Sequence, residues 1–108
     1  MIFHFCSRGD WAAAAAAGAY TADSLATEGF IHCSTAEQVP RPANLLARGR
    51  TDLVLLEIDD SHLPVVVEEA DGELFPHVYG PIAVAAVVAV HDFPPQPDGT
   101  FVLPGTVV

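Results

Sequence analysis

Short apolar blocks, set apart by Gly, Pro and acidic turns, run the length of the chain, a spacing that suits strands better than long helices. Residues 1–6 are apolar apart from His4 and predict a first strand. Ser7 and Asp10 both suit the N-cap of a helix over residues 11–17, whose six alanines favour helix, and Gly18 suits its C-terminal stop. Residues 20–28 mix polar and small side chains, with one short turn at 24–26. Gly29 opens a second strand over 30–33. Ser34 or Thr35 caps the next helical segment, with Glu37 or Gln38 at capping-box spacing. Pro40 and Pro42 are expected to break or kink it, leaving a second helical piece over 42–47.

The second half is read as strands. Residues 52–58, with Leu-Val-Leu-Leu in the middle, predict a fully buried strand, and 65–69 another that leads into an Asp71-Gly72 turn. Residues 73–80 are aromatic and carry Pro76, which predicts an irregular segment. The Ala- and Val-rich residues 82–90 read as a buried strand, with 85–93 as the last core strand. The remainder, 94–108, is a Pro- and Gly-punctuated tail packed on the domain, with an edge strand at 100–103. One α+β domain over residues 1–93 follows, with a mostly antiparallel sheet and both helical regions in the N-terminal half.

Composition narrows the function classes. The chain has 108 residues, 51% of them hydrophobic and 17% charged, enough for one core and too few charges for disorder. A formal charge of −10 repels phosphate backbones, so duplex nucleic acid is an unexpected partner; Arg41, Arg48 and Arg50 form a short basic cluster that could hold one or two phosphates but is too sparse for a duplex. No apolar run approaches the ~18 residues of a membrane span. With no leader-like start, a cytoplasmic location is expected. Oligomeric state is not legible.

The candidate chemistry is histidine. His4 and His32 each interrupt an apolar strand, and a buried imidazole needs hydrogen-bond partners. If the two strands are neighbours, both rings project into one cleft. His77, bracketed by Pro76 and Gly80, reads as part of an exposed rim. Ser24 and Ser34 are small hydroxyls near the same cleft, or simple caps. No spacing of His and Cys suits a metal site. Cys33 follows His32 directly on a strand, so the two side chains should oppose each other, whereas Cys6 shares the face of His4. Both thiols read as buried and inert, and a Cys6–Cys33 disulfide stays open. Asn44, amid apolar residues, is expected to bond a neighbouring loop. Glu57, Glu68, Glu69 and Glu73 are candidate acids, with Glu68 and Glu69 read as a solvated pair.

The strings Phe3-His4-Phe5, Glu28-Gly29-Phe30-Ile31-His32-Cys33-Ser34 and Phe75-Pro76-His77-Val78-Tyr79-Gly80-Pro81-Ile82 stand with Trp11, Tyr20, Ser24-Leu25, Ala43-Asn44 and Leu53-Val54-Leu55-Leu56. Together they resemble the bacterial family named domain of unknown function 952, over residues 1–90. The resemblance implies the split sheet of the ADP-ribosyltransferases, with NAD as cofactor. It assigns the catalytic positions to His4, His32 and His77. His4 would hold a ribose and His32 orient the nicotinamide ribose. The third position falls near residues 75–77, where those enzymes usually place a Glu; the nearest here is Glu73. That departure is similar to the His-His-hydrophobic branch of RNA 2′-phosphotransferases, in which Arg8 would match a phosphate-gripping arginine. Tyr20, Ser24, Ser34, Tyr79 and Arg8 complete the implied cofactor-binding set, Tyr20 stacking on the base and Tyr79 shaping the far wall. Two functions are therefore expected: an NAD- or nucleotide-utilising transferase or hydrolase, or a non-catalytic binding module for a nucleotide or metabolite. A third reading, a structural protein with packed histidines, predicts no open volume beside His4 and His32.

Overall fold

The uninterrupted run Leu53-Val54-Leu55-Leu56 becomes a strand, β4 (Leu53–Ile58), that is buried on both faces. A strand with two covered faces needs apolar residues at consecutive positions, and this one has them. Leu53 and Leu55 pack with Phe3, Val39, Phe93 and Phe101 on one side. Val54, Leu56 and Ile58 pack with Ile2, Cys6, Ile31 and Ile82 on the other. The computed structural model describes residues 1–107; Val108, the last residue of the tail, lies outside the described residues.

Strands β1 (Ile2–Ser7) and β8 (Val87–Asp92) flank β4, both antiparallel to it. A second three-stranded sheet contains β3 (Ile31–His32), β6 (Glu73–Val78) and β5 (Val65–Ala70), in that order. A two-stranded ribbon pairs β2 (Ala19–Tyr20) with β7 (Ile82–Ala83). The two larger sheets meet at one isolated pair, Phe3 and Ser34, joined by two backbone hydrogen bonds of 2.8 Å. The fold is thus a small α+β arrangement of mostly antiparallel strands, with a split between β1 and β3.

The α-helices lie in the first half. Helix α1 (Arg8–Ala17) starts three residues before the predicted point because Ser7, rather than Asp10, is the cap: its Oγ accepts the Asp10 N–H at 3.0 Å. Gly18, at φ 88°, stops it in the left-handed conformation that costs glycine least. The turn expected at 24–26 is a short helix, α2 (Asp23–Thr27), and Thr35 and Gln38 form a capping box around a 3-10 turn at Ala36–Gln38. Pro40 and Pro42 do not break the next helix; they begin it, as α3 (Pro40–Leu46). Both lie in the first turn, where backbone N–H groups have no helical partner to lose.

Three strand expectations are corrected. Residues 73–78 form regular strand rather than irregular chain, despite Pro76. The Pro76 carbonyl accepts from Cys33 N–H, so its hydrogen-bonding edge faces the end of β3, and no bond to β5 is lost. Residues 82–90 are not one buried strand: β7, a 3-10 turn (Val84–Ala86) and β8 divide them, and on β8 His91 is buried while Val88 and Val90 are exposed. No strand forms at 100–103. There the Asn44 amide takes the role of a strand partner, donating to the Phe101 carbonyl at 3.1 Å and accepting the Phe101 N–H at 2.6 Å. The tail is also held by His91, which reaches Thr106 at 2.7 Å and donates to Glu57 at 2.8 Å.

Among the described residues, no helix is long and apolar enough to cross a membrane. Asn44 makes a sharp prediction: Asn44→Ala leaves the Phe101 amide buried without its partner and should lower unfolding free energy by about 1–3 kcal/mol in urea titration.

Candidate functional site

The split between β1 and β3 opens a cleft of about 380 Å³, covered by α3 and bounded by the β5–β6 hairpin. Strand alternation decides which side chains line it. On β3 and its continuation, His32 and Ser34 share one face, and His32 stands opposite His77 on β6. Phe75 lies two residues from His77 on that face. Opposite them, α3 supplies Pro42, Leu45 and Leu46, the two leucines 73% and 74% exposed. The result is an apolar hollow with a few polar groups in its wall.

His4 sits at the edge of this cleft but faces the protein with both nitrogens. The Phe3–Ser34 pairing would bring Phe5 opposite His32 if the ladder continued, and the His4 ring takes that place instead. Its Nδ1–H donates to the His32 carbonyl, since a carbonyl can only accept. Nε2 must then be the acceptor, at 2.8 Å from the Tyr20 hydroxyl. Burial, the largest effect, pushes His4 down to about 4; the bond to the His32 carbonyl opposes this and the neighbouring His32 ring adds to it. The imidazole is neutral at pH 7 and has no nitrogen left for a ligand.

His32 and His77 are arranged differently. Each is tied on one nitrogen to a carboxylate. His32 Nε2 pairs with Glu28 at 2.8 Å and is half exposed. His77 Nδ1 donates to Glu68 at 2.9 Å, and the Tyr79 hydroxyl donates to the same Glu68 oxygen at 2.5 Å. These two bonds, Tyr79's first, hold the Glu68 carboxyl below the usual range. The His77 ring stacks on Phe30, with centroids 4.1 Å apart, and meets His32 edge-on at 5.3 Å. Only 4% of His77 is exposed, so the expectation of an exposed rim is overturned; its Nε2 is buried with no hydrogen-bond partner among the described residues.

The remaining predicted residues divide. Ser34 lines the cleft. Tyr20 is buried and holds His4, so it presents no face for a base to stack on. Ser24 donates to the Phe30 carbonyl at 2.7 Å and braces the turn before β3. Arg8 reaches over β4 to Asp92 on β8, away from the cleft. Tyr79 acts through Glu68 and does not line the cleft. Glu68 keeps solvent exposure, as read from the sequence, and in addition anchors His77. The Asp71-Gly72 turn, with φ of 53° and 78°, sets this in advance: a two-residue hairpin pairs Ala70 with Glu73 and Glu68 with Phe75, putting Glu68 diagonal to His77. Arg41 also lines the cleft, its guanidinium on Glu73 at 2.9 Å. The sequence grouped it with Arg48 and Arg50, but Arg41 is paired with Glu73 and Arg50 with Asp52.

Both thiols are free and buried, which pushes Cys6 to about 11 and Cys33 to about 12. Neither is poised as a nucleophile. Among the described residues, no group of three or more His, Cys, Asp or Glu is placed to hold a metal ion. Two other cavities, about 480 Å³ along the alanines of α1 and about 600 Å³ under the tail, lack His4, His32 and His77.

The depressed His4 makes stability depend on pH. Because the folded protein favours the neutral ring, its contribution is complete above the ordinary value of 6.5 and is lost as pH falls towards about 4. The loss is on the order of 3 kcal/mol. Chemical denaturation across that window should show the fall in the natural protein. His4→Phe should be less stable near neutral pH by about 1–3 kcal/mol and should show a flatter profile.

The same architecture occurs in solved structures. The crystal structure of protein CC0527 from Caulobacter crescentus is 33% identical, with a TM-score of 0.87 over 94% of this chain and 93% of that one. Its solution NMR structure is 34% identical, with a TM-score of 0.81 over 92% and 89%. No curated protein matches the sequence. The model of the family described as "Protein of unknown function (DUF952)" matches residues 5–90, and the chain belongs to that family.

Proposed function

We propose that the protein is a small-ligand-binding domain, and that the cleft between α3 and the split sheet seats one nucleotide- or metabolite-sized molecule. The observation that carries this reading is the cleft itself: about 380 Å³, with apolar walls and a few polar groups, His32, Ser34 and His77, on a single sheet face. Pockets that bind small molecules have this composition, an apolar body with sparse oriented polar groups. His32 and His77 stand on strands and are braced by Glu28 and Glu68, so this part of the wall is organised before any ligand arrives.

A second reading, an NAD- or nucleotide-utilising transferase or hydrolase of the ADP-ribosyltransferase type, draws support from one observation. His32 is half exposed at the split and carries a carboxylate partner, Glu28. The position of His4 weighs against it, because a ribose-holding histidine needs a free nitrogen and both of His4's are engaged. The binding reading therefore stands first.

An NMR screen of nucleosides, nucleotides including NAD, and small acids and amines should give shifts clustered on His32, Ser34, Phe75 and His77. Shifts confined to the cavities along α1 or under the tail would overturn the assignment. The binding reading also expects no nicotinamide release from NAD above background. Release that disappears in His32→Ala would replace it with the transferase reading.

A further inference from the structure

His77 is the most constrained polar side chain in the cleft wall. More than nine-tenths of it is buried, and its plane is fixed by stacking on Phe30. Nδ1 is committed to Glu68, and a carboxylate oxygen that already accepts from Tyr79 can only accept again. The proton therefore sits on Nδ1. Nε2 is left as a buried lone pair with no partner, in a ring that lines the cleft. A buried polar atom without a hydrogen bond is costly, and such atoms cluster where a ligand completes the set.

Charge around the rings adds a second constraint. Glu28 stands on His32 and Glu68 on His77, while Asp71 lies at the rim and Glu73 next to it. Among the described residues the one Lys or Arg lining the cleft, Arg41, is already engaged by Glu73. A phosphate or carboxylate entering here meets Asp71 at the rim, the acids behind the two imidazoles, and no unpaired positive group among the described lining residues. A hydroxyl or N–H donor on a neutral or cationic molecule that reaches the His77 ring finds a nitrogen without a partner among the described residues.

We propose that the ligand is a neutral or cationic molecule that donates a hydroxyl or N–H hydrogen to His77 Nε2, and that phosphorylated forms of the same molecule are rejected. Glu68, held by Tyr79, acts as the positioning residue that keeps the acceptor nitrogen free. This inference rests on the binding reading above and narrows its ligand class.

The test has two arms. In the free protein, long-range proton–nitrogen correlation of the histidine rings near neutral pH should show His77 protonated at Nδ1 and bare at Nε2. A proton on Nε2 overturns the proposal without touching the binding reading. Glu68→Gln should blur the tautomer, because an amide can donate to Nδ1 as well as accept from it; an unchanged His77 signature in that variant would remove Glu68 from its positioning role. The second arm titrates adenosine and adenosine monophosphate, which differ only in the phosphate. Adenosine is expected to shift His77, His32 and Phe75 and to bind roughly tenfold or more tightly than the monophosphate. Equal or tighter binding of the monophosphate overturns the proposal while leaving the cleft a binding site. No shift from either compound, or from the matched pair nicotinamide riboside and its phosphate, counts against the cleft itself and so against both readings. His77→Phe, which keeps the stacking on Phe30, should abolish the adenosine shifts if the fold is retained in its backbone spectrum.

Discussion

A single imidazole sits where the sheet divides. Strands β1 and β3 share one backbone-bonded pair and then part, leaving the His32 carbonyl pointing across the gap. His4 fills the gap from β1, satisfies that carbonyl and in the same act fixes Tyr20 on β2. Three strands are registered by one neutral ring. Without it, the split would expose polar backbone to the core or would have to close, and closure would remove the cleft. The depressed titration of His4 is the electrostatic trace of that position: a charged ring there would lack both solvent and a counter-ion.

The cleft then inherits its chemistry from strand alternation. Once β3 and β6 are in register, His32, Ser34, Phe75 and His77 must share a face, and Cys33 and Val78 must turn into the core. The histidines are anchored by acids from different elements, Glu28 from the chain leading into β3 and Glu68 from β5. Such carboxylate anchoring fixes which nitrogen carries a proton, and so which kind of partner the remaining nitrogen accepts. The helix opposite, α3, contributes mainly apolar surface, so recognition is concentrated on the sheet side.

Apolar patterning placed most elements. The double-faced β4, the helix ended by Gly18, the capping box at Thr35 and the Asp71-Gly72 hairpin were legible because each depends on a few neighbouring residues. The prolines misled in both directions. Pro40 and Pro42 were read as breaks and Pro76 as irregularity, yet the first two begin a helix, where an N–H has no helical partner, and Pro76 turns its bonding edge to the end of β3 and leaves the ladder to β5 intact. Whether a proline is disruptive depends on which way its edge faces, and that is settled by the partner strand or the helix boundary.

The site was legible in part for the same reason. From the sequence alone came the three histidines, the likeness of the two strands carrying His4 and His32, and the expectation of one cleft. Their roles were decided by the tertiary structure. His4 became a strut because the carbonyl it meets lies 28 residues away in sequence. Tyr20, Ser24 and Arg8 went to internal or distant partners, while Arg41 came to the cleft and Glu68 to His77 through pairings between separate elements. Local pattern determines which residues are buried and on which face they stand. Hydrogen-bond partnership across strands determines which nitrogen of a buried imidazole is free, and no local pattern contains that information.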